Sequence, residues 1–311
     1  MPNIFSSNTL SGTYNDDWSA EDHYHQILFN SGRALQAREL TQLQTMIYQE
    51  MGRMGRNVFK EGSAVSAGAL VVNAEYDFVK ISNITGGAFE DIPVGSVVQS
   101  TLGGVQARVL SVKPISVTPI SAPITENTLF IQYVSSASTT TSASPVVFQD
   151  GNTLTVSGGS QLLTVGGSSP TGKACKLDVT GGDFFVLGRF VSYDTGSIIL
   201  NPYSQNFTGE VGFKVIQDVV SVNDTTSLYD NAGDVPNTSS PGADRYRITL
   251  ELVNKLDITT DDTFVFLARL ENGKVVEQLE ETDAYNKIND TLALRTSEES
   301  GNYVVNPFTL D

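Results

Sequence analysis

Residues 32–62 read GRALQARELTQLQTMIYQEMGRMGRNVFKEG, and this stretch sets the fold of the first part of the chain. Most of its residues favour helix, whereas the chain after it is rich in glycine, serine, threonine and valine. Its apolar side chains recur every three or four residues, at Leu40, Leu43, Ile47, Met51, Met54 and Val58. We therefore predict one helix over residues 34–56, capped by Asn30 or Ser31, with a single apolar stripe.

The apolar stripe has two interpretations. It can pack on a β domain of its own chain, or it can form a short coiled coil between copies of the chain. The stripe covers about three heptads, the minimum for a coiled coil, so its spacing leaves both open. The candidate seam residues are Leu40, Leu43, Ile47 and Met51.

An arm precedes the helix. Residues 1–31 are polar and turn-rich, with few branched aliphatic residues but several aromatic ones. Terminal segments of this kind become ordered only when another surface holds them. We predict an extended arm whose docking residues are Trp18, Tyr24 and Phe29.

From Phe59 onward, short apolar runs alternate with turn residues, a pattern typical of β-strands. Pairs of glycines recur between the runs, where hairpin turns need a positive φ. The predicted strands cover residues 69–72, 78–84, 96–100, 107–112, 128–134, 177–179, 184–193, 197–200, 212–222, 245–253, 263–270 and 274–279. The predicted fold is mainly β with an N-terminal α-helix, in two or three small sandwich- or barrel-like modules.

Four segments follow from this pattern. Residues 1–58 form the arm and the helix, residues 59–172 a first β module and residues 173–222 a second one. Residues 223–311 hold a long loop, a last β module and a short helix over 283–294. The low-complexity stretch SSASTTTSAS, residues 135–144, is predicted to be a linker or exposed loop, and residues 223–244 are predicted to be irregular.

Composition excludes several kinds of partner. The net charge of −16 argues against nucleic acid, because phosphate binding needs clustered lysine and arginine. No apolar run approaches the roughly 20 residues of a membrane span, so we expect no membrane insertion. The single cysteine, Cys175, rules out a disulfide within the chain.

No pattern of residues indicates catalysis. His23 and His25 are the only histidines, and no distant His or Cys completes a metal site with them. Asp224, Asp230 and Asp234 do not have the spacing of an EF-hand calcium loop. Nucleophile-elbow and phosphate-loop motifs are absent as well. We expect no catalytic residue, no metal and no cofactor, and hence a structural or interaction protein instead of an enzyme.

Three stretches resemble a known family. They are FNSGRALQARELTQLQTMIYQEMGRMGRNVFKEG at 29–62, SLYDNAGDVPNTSSPGADRYRITLEL at 227–252 and RTSEESGNYVVNPF at 295–308. Together they resemble segments of the tail-fibre and baseplate-associated structural proteins of tailed bacteriophages. The last stretch departs from the family pattern at residues 297–299 and at Asn306.

The resemblance implies a virion protein of the phage tail or baseplate, assembled in the host cytoplasm. It implies a homotrimer that the helix gathers while the arm grips other baseplate or tail proteins. Related chains continue into a longer distal fibre, whereas this sequence stops at Asp311. We therefore expect an adaptor that links the tail to a separate fibre. The loop residues Tyr229, Asn231, Pro241 and Asp244 are assigned to contacts between subunits.

Two alternatives to this function stay open. One is a receptor- or glycan-binding tail module, for which the acidic loop gives slight support. The other is a depolymerase, although the long periodic β-helix of such enzymes is not visible in this sequence.

Overall fold

A computed structural model describes residues 14, 16–101, 104–135, 147–230, 237–259, 262–279 and 286–300. The fold is mainly β with one long N-terminal helix and barrel- and sheet-like modules, so the predicted fold class is confirmed. The predicted linker at 135–144 falls almost entirely outside the described residues.

The described residues form two α-helices and seventeen strands. The helices are α1 (Ala37–Val58) and α2 (Asn286–Ser300). Neither of them is both long enough and apolar enough to cross a membrane. The strands are β1 (Ala64–Ala67), β2 (Leu70–Thr85), β3 (Val97–Ser100), β4 (Gln106–Lys113), β5 (Thr128–Ser135), β6 (Thr153–Val156), β7 (Leu162–Val165), β8 (Thr171–Val179), β9 (Gly182–Val186), β10 (Arg189–Tyr193), β11 (Gly196–Asn201), β12 (Gly209–Val220), β13 (Tyr229–Asp230), β14 (Asn237–Pro241), β15 (Arg245–Asn254), β16 (Thr263–Glu271) and β17 (Lys274–Gln278).

The chain divides into two compact units. The first comprises Met1–Gly68, Gly182–Tyr193 and Glu280–Asp311, and the second comprises Ala69–Gly181 and Asp194–Leu279. The first unit draws on three separate parts of the chain because β1 pairs with β9, which lies more than a hundred residues later in the sequence. The two units therefore cut across the four segments predicted from the sequence.

In the first unit, β1, β9 and β10 form a three-stranded antiparallel sheet. A two-residue turn, Leu187 and Gly188, joins β9 to β10, and both residues have positive φ angles of 53° and 74°. This is the backbone that tight β-hairpins require. Leucine rarely adopts this backbone, so the residue types at 187 and 188 did not indicate a turn. The prediction of one strand over 184–193 is therefore wrong.

The second unit contains a closed β-barrel. Strand β2 pairs with β5, and the sheet continues through β4, β3, β6 and β7 before β7 pairs with the far end of β2. All of these pairings are antiparallel. Closure leaves these six strands without a free edge.

Alternating side chains fill the barrel. Along β4, Ala107 and Val109 are fully buried while Arg108 and Leu110 point outward, as the period of two in a strand dictates. The apolar core of the barrel includes Val79, Ile81, Phe89, Ile92, Val98, Leu129, Ile131, Phe148, Leu154, Leu163 and Val165.

Two further layers complete the second unit. Strands β8 and β11 extend the sheet beside the first half of β2, over a smaller core in which the rings of Tyr76 and Phe130 stack 5.0 Å apart. Strands β15, β12, β16 and β17 form a four-stranded sheet that buries Val211, Phe213 and Val265.

The bounds of the helices differ from the prediction. Helix α1 begins three residues later than expected, and its N-cap is Gln36 instead of Asn30 or Ser31. The backbone N–H of Gln36 donates to the Glu39 carboxylate at 3.0 Å, the reciprocal half of a capping box. The predicted caps were serine and asparagine because these residues are common N-caps, and the Gln36–Glu39 pair was not predicted. Helix α2 starts three residues later than expected and ends six residues later.

Several strands also differ from the prediction. The predicted strands 69–72 and 78–84 are one strand, β2, whose pairing is irregular between Asn73 and Tyr76 and again between Ile81 and Asn83. Strands β6 and β7 were missed because each has four residues in a stretch rich in serine, threonine and glycine. The predicted irregular loop 223–244 contains the short pair β13 and β14.

Candidate assembly surface

Helix α1 packs on its own chain through two glycines. A Cβ atom added at Gly55 would lie 2.5 Å from Cε2 of Phe185 on β9, and one at Gly52 would lie 3.2 Å from the carbonyl oxygen of Gly188. Any larger residue would hold the helix away from the β9–β10 hairpin. Gly52 and Gly55 therefore make a smooth face along which the hairpin and the helix backbone can touch.

Aromatic side chains close the edges of this contact. The ring centroid of Phe59 lies 5.5 Å from that of Phe185 and 5.4 Å from that of Phe190. The guanidinium of Arg189 lies 4.2 Å over the ring of Tyr48 on α1. Helix α1 thus packs on its own chain through its glycine face, which neither interpretation of the apolar stripe included.

The predicted seam lies on a different face of α1 and is open to solvent. Leu40, Ile47 and Met51 are 44%, 53% and 54% exposed, and Met54 is 73% exposed. Leu43 is half-buried. Large apolar side chains in an exposed row are uncommon on the surface of a monomeric protein, and patches of this kind are often sites where proteins bind partners.

The arm is tied to the same helix by hydrogen bonds. Asp16 is almost fully buried, and its carboxylate accepts a hydrogen bond from the Thr45 hydroxyl at 2.6 Å. The next residue, Asp17, forms an exposed ion pair with Arg38 at 3.0 Å. The arm is therefore anchored along the first half of α1.

The arm and the helix enclose a groove, which we call the arm groove. It has a volume of about 360 Å³ and is lined by Trp18, Ser19, Ala20, His23, Tyr24, His25, Gln26, Leu43, Met46, Ile47, Glu50, Met51 and Arg53. Its apolar side chains come from both elements, and its rim carries the Glu50–Arg53 ion pair at 2.9 Å. Leu43, Ile47 and Met51 belong both to this groove and to the predicted seam.

The three predicted docking residues of the arm occupy different positions. Trp18 is half-buried and, together with Tyr24, lines the arm groove. Tyr24 and Phe29 remain 60% and 54% exposed, and Phe29 does not line the groove. Their role in docking stays a prediction.

A family comparison covers most of the chain. Residues 12–124 and 131–310 match the family described as Domain of unknown function (DUF4815). The chain belongs to this family. No curated protein matches the DUF4815 chain, and no solved structure does.

His23 and His25 lie on the rim of the arm groove, and both are exposed. Within the described ranges of the DUF4815 chain, no three His, Cys, Asp or Glu side chains come together as metal ligands would. Cys175 is buried in the second unit, and this burial raises the pKa of its thiol to about 11. At neutral pH such a thiol is protonated and a poor nucleophile.

The turn that follows α1 holds a perturbed carboxyl group. The Glu61 carboxylate accepts a hydrogen bond from the backbone N–H of Leu187, in the turn of the β9–β10 hairpin. Glu61 is exposed as a residue, but the partial desolvation of its carboxyl group against the hairpin raises its pKa above the ordinary value, while that hydrogen bond and the charge of Arg56 partly oppose the rise. Glu61 thus connects the turn after α1 to the hairpin on which the helix packs.

The predicted loop contacts lie in the second unit. Tyr229 on β13 pairs with Pro241 on β14; Tyr229 is half-buried and Pro241 is exposed. Asp244 is half-buried just before β15, and Asn231 lies outside the described residues. The role of these four residues between subunits stays a prediction.

Two exposed leucines on the first unit were not predicted as site residues. Leu28 in the arm and Leu35 just before α1 are both more than half exposed. Each is a large aliphatic residue in an otherwise polar stretch, and that contrast was the available signal.

Proposed function

We propose that this protein is a structural protein of a tailed-bacteriophage virion. In this proposal it acts as an adaptor at the baseplate or tail-fibre attachment site, forms a homotrimer and links the tail to a separate fibre. The trimer forms through α1, and the arm contacts neighbouring tail proteins.

The observation that carries this proposal is that α1 has one covered face and one exposed apolar face. The glycine face packs against the β9–β10 hairpin of the same chain, whereas Leu40, Ile47 and Met51 remain exposed. An isolated helix face with this composition is costly to leave in water, and burial against other copies would remove that cost. Three copies around one axis would place the three rows side by side.

The phage assignment itself rests on the resemblance of the three stretches. The first of them forms α1 and the turn into β1, so it coincides with the proposed trimer surface. The second runs from β13 to β15 in the second unit, with residues 231–236 outside the described part.

The distribution of charge is compatible with a second copy of this chain as the partner at the seam. The whole chain carries a net charge of −16, so copies repel one another over most of their surface. Helix α1 contains three arginines and two glutamates, and none of these five lies in the seam row. The seam is therefore a place where acidic chains can meet without placing carboxylates opposite each other.

Light scattering on the purified full chain tests the trimer. We expect a mass of roughly 100 kDa, three times the chain mass of 33.4 kDa. Met54→Asp, which adds one charge to the apolar stripe beside the seam, should weaken the trimer, and Leu40→Asp/Met54→Asp should yield a folded monomer. Neither residue lines the arm groove.

Asn57→Asp is the matched control, because Asn57 is exposed, does not belong to the apolar stripe, and receives the same added charge. It should leave the trimer intact. A wild-type monomer, or equal effects of Met54→Asp and Asn57→Asp, would contradict assembly through the seam. The phage assignment is checked separately, by mass spectrometry of purified virions that encode the chain.

A further inference from the structure

Trp18, which lines the arm groove, has a polar atom without a partner. The indole Nε1 of Trp18 is buried and has no hydrogen-bond acceptor among the described residues. A buried N–H that makes no hydrogen bond costs about 1–3 kcal/mol. The groove is otherwise mostly apolar at its floor, where Leu43, Met46 and Ile47 line it. A ligand that suits it has apolar side chains and at least one carbonyl oxygen, which is the chemistry of an extended peptide.

A segment of this chain has that chemistry. Residues 1–13, MPNIFSSNTLSGT, carry no charged side chain and include Ile4, Phe5 and Leu10. They precede Asp16, which is anchored on Thr45 in the middle of α1. The segment is therefore attached beside the groove and lies outside the residues that the structure describes.

We propose that the arm groove of each copy binds residues 1–13 of a neighbouring copy, so that the copies interlock through exchanged arms. This inference rests on the proposed homotrimer. Apolar side chains of the segment occupy the space between Trp18 and α1, and a backbone carbonyl of the segment accepts the Trp18 N–H after a small rotation of the ring.

The neighbour is favoured by the position of the groove. Leu43, Ile47 and Met51 contribute to both the groove and the seam, so a copy seated on the seam lies at the mouth of the groove. Packed helices are about 8–10 Å apart, whereas thirteen extended residues reach up to about 43–47 Å. The segment is long enough to cross, and its lack of charge avoids repulsion between acidic chains.

Trp18 reports on the groove directly because it is the only tryptophan in the chain. The receiver is the full chain with Ile4→Ser/Phe5→Ser/Leu10→Ser, whose own segment has lost its apolar side chains. The donor is the full chain with Trp18→Phe, which has the native segment but no tryptophan emission. The two chains are co-expressed, and mixed oligomers are purified through different tags on the two chains.

We expect Trp18 emission of the mixed oligomer to lie at shorter wavelength than that of the receiver alone, because the donor segment excludes water from the groove. A donor that also carries Ile4→Ser/Phe5→Ser/Leu10→Ser is the matched control and should produce no shift.

Mixed oligomers of the expected mass without a spectral shift would overturn the exchange while leaving the trimer standing. In another outcome, Trp18 emission differs between the wild type and the receiver, but mixing with the donor causes no shift. The segment would then fill the groove of its own copy, which also overturns the exchange. A wild-type chain that is monomeric in light scattering would instead count against the proposed homotrimer.

Discussion

Gly55 is the residue on which the packing of α1 depends most directly. Glycine inside a helix is unfavourable by about 1 kcal/mol relative to alanine, so its use here needs a structural reason. The reason is the ring of Phe185, which occupies the space that a Cβ atom would need.

Gly55→Ala should therefore destabilise the first unit by about 1–3 kcal/mol, despite the better helix propensity of alanine. Gly52→Ala should cost less, because its Cβ would meet the Gly188 carbonyl oxygen at 3.2 Å and not at 2.5 Å. Urea denaturation followed by circular dichroism gives both values. Equal stability of Gly55→Ala and the wild type would contradict the tight contact.

Glu61 gives the first unit a specific pH dependence. Its pKa is raised above the ordinary value of 4.5, mainly by burial, so the folded chain holds the proton more tightly than the unfolded chain. Its contribution to stability is complete below the ordinary pKa and is lost as the pH rises through the folded pKa. Glu61→Gln removes this loss and keeps an oxygen that can accept from Leu187.

We expect the melting temperature of Glu61→Gln, relative to that of the wild type, to increase as the pH rises from 4 to 7. Asp183→Asn is the opposite control. Hydrogen bonds from Ser192 and Ser66 lower the pKa of Asp183, so its contribution is present above the ordinary value of 3.8 and lost as the pH falls. Asp183→Asn should therefore destabilise the chain most at neutral pH. A difference between Glu61→Gln and the wild type that does not change with pH would contradict the assignment.

At the scale of elements, strand β2 holds a buried charged residue, Lys80, in the second unit. The ammonium of Lys80 donates to the carbonyl oxygen of Ser168 at 2.7 Å, lies 3.6 Å from Oε2 of Glu126 and sits 4.2 Å over the ring of Tyr203. That carboxylate oxygen has no hydrogen bond of its own within the described residues. Its charge therefore depends on Lys80 for compensation.

Lys80→Met should cost about 2–4 kcal/mol, because it leaves the Glu126 carboxylate buried without a counter-charge. The lower part of that range allows for Glu126 being about one-third exposed. Adding Glu126→Gln should restore part of the loss, and a double-mutant cycle of denaturation midpoints measures it. Strictly additive effects of the two substitutions would show that the pair is not coupled.

At the scale of the whole molecule, the acidic charge opposes assembly. With a net charge of −16, each added copy would raise the electrostatic free energy of the proposed trimer. Salt screens this repulsion, since the Debye length falls from about 10 Å at 0.1 M to about 3 Å at 1 M. The seam itself is apolar and should not weaken with salt.

We therefore expect the trimer fraction at a fixed low protein concentration to increase as sodium chloride rises from 50 to 500 mM. Sedimentation velocity measures this fraction, and Met54→Asp should respond more steeply because its seam also carries charge. Dissociation on adding salt would indicate that ion pairs, instead of the apolar row, hold the copies together.

The sequence by itself determined the elements whose signal is local. The 3- and 4-residue spacing in 32–62 determined α1 and its apolar row, and the alternation of apolar and polar residues determined strands such as β4, because both periods come from the backbone of one element. The same spacing could not decide which face of α1 would be covered.

Only the tertiary structure decided what lies against what. It paired β1 with β9, closed the barrel by joining β7 to β2, and placed Gly52 and Gly55 against the β9–β10 hairpin. It also formed the arm groove from residues about 25 positions apart in the sequence. These contacts join residues that are distant along the chain, and one sequence carries no local period that encodes them.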